Sequence, residues 1–174
     1  MNEEFGVVRQ VAYVVRDLDV ALKYWTEFLK AGPFFMFKHS QMDKQKYRGG
    51  PSDVDVSLAV GNSGDVQIEL IQCETDAPSV YKEFLDAGRV GVHHVGLMPE
   101  HYDKARRDYE SKGFEAAFEC SISGTSLVYY DTVDAVGHFT ELWQKSDVFI
   151  DFMKFVRDAS IDWDGRDPVR DAAI

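Results

Sequence analysis

The chain has 174 residues, 45% hydrophobic and 13% aromatic, enough for one good-sized domain or two small modules sharing a core, and too apolar for disorder. Its formal net charge of -11 argues against nucleic acid and anionic membrane surfaces as partners, while leaving room for a local basic pocket. Cys73 and Cys120 form no CxxC pair, the acidic start "MNEEFGVVRQ" has no signal-peptide core, and no apolar run nears the ~18 residues of a membrane span, so a soluble cytoplasmic protein is expected.

"GVVRQVAYVV" is rich in β-branched residues and reads as a strand. Asp17 then caps a helix whose apolar face carries Leu18, Ala21, Leu22, Trp25, Phe28 and Leu29, ended by Gly32 and Pro33. Three strands follow, "PFFMFKHSQ", "SDVDVSLAV" and "GDVQIELIQ", separated by the turn-rich "YRGGPSD" and "GNSG". "APSVYKEFLDAGRVG" reads as a helical linker. The order then repeats: strand "VGVHHVGLM", helix "PEHYDKARRDYESKG" with Pro99 before it and Gly113 after it, and strands "FEAAFECSI", "TSLVYYD" and "GHFTELWQ". The chain thus divides into a first strand–helix–three-strand module (1–75), a linker (76–90), a second such module (91–145), and a C-terminal helix with an irregular tail (146–174). The last helix presents Val148, Phe152, Phe155 and Val156 on one side, for packing on the body of the molecule or on a second subunit.

Two carboxylates interrupt apolar strands, Glu69 in "DVQIELIQ" and Glu141 in "GHFTELWQ". Each needs a partner if buried. Alternation places Gln10 with Val8, Ala12 and Val14, Glu69 with Gln67, Ile71 and Cys73, His94 with Val92, Gly96 and Met98, and Glu141 with Phe139 and Trp143. Gln10 and His94 stand in the first strand of their modules, Glu69 and Glu141 in the last. If two curved sheets face each other, the four converge inside a cup. Two glutamates, an imidazole and an amide oxygen suit a divalent cation of intermediate hardness, and two carboxylates neutralise its charge. His93 competes with His94 for the ligand position.

The stretches "RQVAYVVRDLDVALKYWTEFLKAG", "VQIELIQ", "HHVGLMPEHYDKARRDYESKGF" and "GHFTELWQ" resemble the vicinal oxygen chelate superfamily, which includes glyoxalase I, methylmalonyl-CoA epimerase and the bleomycin resistance proteins. The likeness spans about residues 5–145 and is specific for the superfamily rather than for one activity. It implies an α+β fold: two βαβββ modules forming a U-shaped cup around a metal, here with an added C-terminal helix and tail. Carried over by position, the metal ligands are Gln10, Glu69, His94 and Glu141, with Zn2+ first and Ni2+, Co2+, Mn2+ or Fe2+ also compatible. The first ligand is commonly histidine, so Gln10 departs from the usual pattern and resembles one branch of glyoxalase I. Epimerases tend to have glutamine where this chain has Glu69. The glutathione determinants of that glyoxalase branch, two arginines and an asparagine, are not matched: Val14 and Val90 stand at the arginine positions, with Arg89 adjacent to the latter, and Cys73 at the asparagine position.

The resemblance and the ligand chemistry together imply a metal-dependent lyase, isomerase or epimerase, working through an enolate on a small hydrophobic oxygenated substrate other than the glutathione hemithioacetal. Glu141 is the first choice as base, since Phe139 and Trp143 would desolvate it and raise its pKa, with Glu69 as catalytic partner. His39, Tyr129 and Trp143 are expected to contact substrate. Tyr130 is a further protic group near the cup, and Phe34, Phe35 and Phe37 could add aromatic lining. A small-molecule substrate and a homodimer are expected. A bleomycin-resistance-like binding protein without catalytic metal is the alternative reading. An iron-dependent dioxygenase ranks third, because that chemistry favours two histidines and one carboxylate.

Overall fold

The computed structural model describes residues 5–172. Strand β1 (Val8–Val14) leads into α1 (Leu18–Lys23), where the Asp17 carboxylate accepts from the Val20 amide at 2.9 Å, the cap that the sequence predicts. The helix then widens into a π-helical turn, Tyr24–Phe28, with the Leu29 amide bonded to the Tyr24 carbonyl. That wider turn rotates the apolar stripe. Leu18 and Leu22 stay buried, but Phe28, expected on the inner face, is 74% exposed.

Strands β2 (Phe34–Phe37), β3 (Asp43–Tyr47), β4 (Gly50–Pro51), β5 (Val56–Ser63) and β6 (Val66–Cys73) complete the first half. After the linker helix α2 (Val80–Asp86) come β7 (Gly91–Leu97), α3 (Tyr102–Ser111), β8 (Ala116–Ile122), β9 (Thr125–Tyr130), the short α4 (Val133–Val136) and β10 (Phe139–Trp143). Helix α5 (Asp147–Ser160) and strand β11 (Val169–Asp171) end the described chain. The strands form one continuous curved sheet in the order β11-β2-β5-β6-β1-β7-β10-β9-β8-β3-β4. Its centre carries the internal duplication. β1 runs parallel to β6, β7 runs parallel to β10, and β1 and β7 meet antiparallel. This is the α+β cup of paired βαβββ units.

The concave face holds the main core, which includes Ala12, Val14, Val60, Ile71, Phe118, Tyr129, Phe139 and Trp143. On the convex face, α1 covers Phe34, Met36 and Leu70, while α3 covers Val128, Tyr130 and Leu142. Helix α5 packs across the concave side of the same chain, and Ser146 caps it by accepting from the Phe149 amide. Its inward residues are Phe149, Phe152, Met153 and Val156; Val148 and Phe155 are 59% and 54% exposed. The expected face was therefore rotated by about one position, although Phe155 still packs its ring on Phe35 at 4.8 Å.

Two elements differ from the sequence expectation. Residues 43–46, which the sequence assigns to no element, and the turn-rich "YRGGPSD" form the β3–β4 hairpin, which pairs with β8 of the other half through Lys46↔Glu119 and Tyr47↔Phe118. "DKQKY" has no apolar alternation, so it carries no strand signature of its own. The tail expected to be irregular adds β11 parallel to β2, with Val169 opposite Phe34 and Asp171 opposite Met36. Ala173 and Ile174, part of the expected tail, lie outside the described residues.

Candidate functional site

Four central strands, β6-β1-β7-β10, carry two neighbouring rows of side chains. One row is Glu69, Ala12, His94 and Phe139; the next is Gln67, Gln10, Gly96 and Glu141. The polar groups alternate between the rows, and small residues lie between them. Ala12 separates Glu69 from His94, and Gly96 separates Gln10 from Glu141. A flat sheet would hold Glu69 and His94 about 10 Å apart, two strand spacings. Curvature and the length of the glutamate side chain bring the Glu69 Oε2 to 3.4 Å from His94 Nε2.

His94 is the hub. Its Nε2 lies 3.2 Å from Glu141 Oε2 and 3.3 Å from Gln10 Oε1. All four residues that the sequence selects are thus brought together, and all come from one chain. His94 is fully buried, and the side chains of Glu69 and Glu141 are 12% and 3% exposed. Burial pulls the His94 pKa down, but Glu141 and then Glu69 outweigh it and carry it to about 9. Burial raises the Glu69 pKa, against the lowering influence of His94, and Glu141 adds to the rise. Among the described residues no group of three or more His, Cys, Asp or Glu side chains is preassembled as a metal cage. Gln10, Glu69, His94 and Glu141 are the side chains that could close on an ion.

Strand alternation alone puts His93 on the opposite face from His94, yet both are fully buried. A β-bulge explains this. Ala12 pairs with His94 and Tyr13 pairs with Val92, leaving His93 as the extra residue. Val92, expected beside His94 on the inner face, is instead 40% exposed. His93 stacks on Tyr81 at 5.1 Å, and each of its ring nitrogens has a partner: its Nε2 faces the Val80 carbonyl at 3.2 Å, and its Nδ1 faces His94 Nδ1 at 2.9 Å.

These contacts fix where the protons sit. A carbonyl only accepts, so His93 Nε2 carries a proton and donates it to Val80. Burial, and then the neighbouring His94, hold the His93 pKa well below the usual imidazole value, so the ring is neutral and its Nδ1 is bare. His94 Nδ1 must then donate to His93. When His94 is neutral, its Nε2 is a bare lone pair facing three oxygens that are all acceptors while both glutamates are ionised. The Gln10 Oε1 belongs among these, because the Gln10 Nε2 already donates to Gln67 Oε1 at 2.8 Å. A cluster of four acceptors requires a cation, a proton on His94 or a metal ion, unless Glu69, whose pKa burial raises, carries the proton itself.

Beside the cluster lies an apolar cavity of about 160 Å³. Gln10 and Glu69 form its polar end; Phe37, Val60, Phe149 and Phe152 supply apolar walls, with α5 as the roof. The other residues selected from the sequence are placed less favourably. His39 is two-thirds exposed on a positive-φ turn and pairs with Asp55 at 2.6 Å, away from the cluster. Tyr129 is buried edge-on to the His94 ring at 4.9 Å, with its hydroxyl 3.0 Å from that of Tyr81. It supports the imidazole rather than opening onto the cavity. Trp143 is buried against Phe149, in the space that the missing side chain of Gly96 leaves. Tyr130 and Phe34 lie in the convex-face clusters, so neither reaches the cup. The supporting role of His93 was missed, because the bulge that turns it inward has no signal in the sequence.

The family model described as Glyoxalase/Bleomycin resistance protein/Dioxygenase superfamily matches residues 9–127. The chain belongs to this superfamily. The vicinal oxygen chelate resemblance is thereby borne out. No curated protein sequence matches the chain. A solved Streptomyces coelicolor methylmalonyl-CoA epimerase variant, in complex with 2-nitronate-propionyl-CoA, is 16% identical, with a TM-score of 0.60 and coverage of 83% of this chain and 97% of that one. The Mycobacterium tuberculosis methylmalonyl-CoA epimerase is 18% identical, with a TM-score of 0.57 and coverage of 87% and 95%. A hypothetical protein from Bacillus halodurans is 14% identical, with a TM-score of 0.56 and coverage of 81% and 95%. At these identities the likeness is one of fold. No described helix is long and apolar enough to cross a membrane.

Proposed function

We propose that this superfamily member is a metal-dependent enzyme of the isomerase, epimerase or lyase type, acting on a small oxygenated substrate with an apolar body. The observation that carries the reading is the convergence of three acceptor oxygens, 3.2–3.4 Å away, on the Nε2 of His94. Neighbouring ligands on one ion with bonds near 2.1 Å stand about 3.0–3.4 Å apart, so the donor set fits a divalent cation. One nitrogen and three oxygens favour Zn2+, with Ni2+, Co2+, Mn2+ and Fe2+ also compatible. Held there, the ion would supply Lewis-acid polarisation of two adjacent substrate oxygens.

The protein's own groups do the rest. Glu69 is the better base, because it opens onto the cavity and burial raises its pKa. A carboxylate in that state can take a proton from a neighbouring carbon, hold it and return it. Glu141, expected first as base from the sequence, is turned to His94 and is the less accessible of the two. Phe37, Phe149 and Phe152 keep water from the reacting end, and His93 orients His94. Proton transfer at carbon agrees with the epimerases that share the fold. A glutathione adduct is disfavoured, since Arg89, the cation nearest to the glyoxalase positions, lies over the Phe84 ring at 4.4 Å and donates to the Gly137 carbonyl.

A second reading, a metal-free binding protein, is favoured by the raised pKa of His94, since an imidazolium can itself satisfy the oxygens. An iron dioxygenase ranks below both, because a single imidazole faces the cluster. Metal analysis of the purified protein separates them. A stoichiometric divalent ion that is lost in Glu69→Ala and Glu141→Ala supports the enzyme. A metal-free protein that still takes up a hydrophobic ligand overturns it. Loss of the ion in His93→Ala but not in His94→Ala would reverse the histidine assignment.

A further inference from the structure

Helix α5 has a second pocket on its other side. The apolar cavity meets Val148, Phe149 and Phe152, whereas this pocket, of about 360 Å³, meets Ile150, Met153, Lys154 and Arg157. At 100° per residue the two sets are centred roughly 140° apart around the helix, with Phe149 and Met153 meeting at the border between them. Gln67 belongs to both walls. Gln67 and Asn62 are cross-strand neighbours on the pocket floor, 3% and 5% exposed. The Gln67 oxygen accepts from Gln10 and the Asn62 nitrogen donates to the Gly64 carbonyl, but Gln67 Nε2 and Asn62 Oδ1 have no hydrogen-bond partner. An orphaned donor beside an orphaned acceptor, both buried, is costly unless a ligand or water completes them.

The rim of this pocket is cationic within a chain of net charge -11. Arg9, Lys145, Lys154 and Arg157 line it, against Asp65 and Glu100. Asp65 is bound to Arg157 at 2.7 Å and Glu100 to Lys145 at 2.6 Å. Lys154 pairs with Asp158, outside the pocket, whereas Arg9 forms no ion pair among the described residues. We propose that this pocket is a binding subsite for the oxyanion of a small acid, a carboxylate or phosphate held by Arg9 and Lys154, with the ligand's hydroxyl completing Gln67 and Asn62. None of its walls is one of the four cluster side chains, so the subsite stands whether or not the cluster holds an ion. Helix α5, which supplies one wall of the pocket, lies beyond the residues matched by the family model.

The test is titration of the full-length protein with inorganic phosphate and, separately, with malate, following the side-chain amide signals of Gln67 and Asn62 by NMR. At least one probe should saturate and shift both amides, and Arg9→Gln should weaken it about tenfold, the loss of one charge-assisted contact. Lys154→Gln should weaken it too. Lys46→Gln, an exposed lysine elsewhere, should leave it unchanged. Saturation by phosphate alone assigns a phosphoryl ligand, and by malate alone a carboxylate. Binding of neither probe, or equal weakening in Lys46→Gln, overturns the subsite.

Discussion

A neutral imidazole bonded to a carbonyl has no freedom in where its proton sits. His93, tied to Val80, passes that constraint to His94 and leaves His94 Nε2 as the atom that faces the carboxylates. Partners of this kind, behind a metal-binding imidazole, are typically worth about 10–100-fold in metal affinity. His93→Phe keeps the packing on Tyr81, Phe84 and Phe139 but removes the acceptor. It should weaken divalent-ion binding by about that factor, as read by chelator competition, and also lower thermal stability, because the buried Val80 carbonyl and His94 N–H lose their partner. Unchanged affinity would show that His94 is oriented without His93. His39 behaves differently, because Asp55 raises its pKa through a hydrogen bond and then through charge. The sign follows: the pair stabilises the fold fully below the ordinary imidazole value and loses that contribution as pH rises through the raised one. The His39 NMR titration midpoint should lie above 6.5 and fall in Asp55→Asn; a midpoint that does not move refutes the pairing. The four cluster residues were legible from matched strand positions. The turn that points His39 at Asp55 was not, because nothing in "FKHSQ" announces a positive φ at a histidine.

At the level of elements, the bulge in β7 and the glycine in the next row shape the cup together. An added Cβ at Gly96 would meet Trp143 Cζ2 at 2.4 Å, and Trp143 is itself pinned under Phe149 of α5. Overpacking of this type costs about 1–3 kcal/mol. Gly96→Ala should therefore lower the melting temperature by several degrees, at about 2–4 °C per kcal/mol for a chain of this size. It should also disturb Glu141, which pairs with Gly96 across the sheet. A variant as stable as the parent would mean that the tryptophan can move, and that α5 is a looser roof than its contacts indicate. Periodicity revealed β1, α1, β6, β7, α3 and β10, because each has a clear apolar face. It did not reveal the β3–β4 hairpin or β11, which are short edge elements that depend on a distant partner strand. It also missed the π-helical turn, where one wider turn moves Phe28 from the expected inner face to solvent.

The two halves meet at more than the central strands. Arg48, at the tip of the β3–β4 hairpin, donates to Glu83 of the linker helix at 2.8 Å, to Asp131 of the second half at 2.7 Å, and to Glu115. Tyr47 adds a hydrogen bond to Glu83 at 2.7 Å. One guanidinium thus joins residues from the first half, the linker and the second half, while three carboxylates depend on it. Arg48 is 28% exposed and its acidic partners lie between 27% and 55%, so each bond is worth less than a buried one. Loss of the cation has a second consequence, because it leaves three negative charges facing one another. Arg48→Met should cost about 1–3 kcal/mol, more than Glu115→Gln, which removes only the most exposed partner. Part of the deficit should be recovered in high salt, which screens repulsion between carboxylates. Because the sheet runs unbroken through both halves, the variant should still melt in a single transition, displaced to lower temperature. Thermal melts at low and high salt check this. Two separate transitions would mean that Arg48, rather than the central strands, couples the halves, and a melt unchanged at low salt would mean that solvent already replaces the guanidinium.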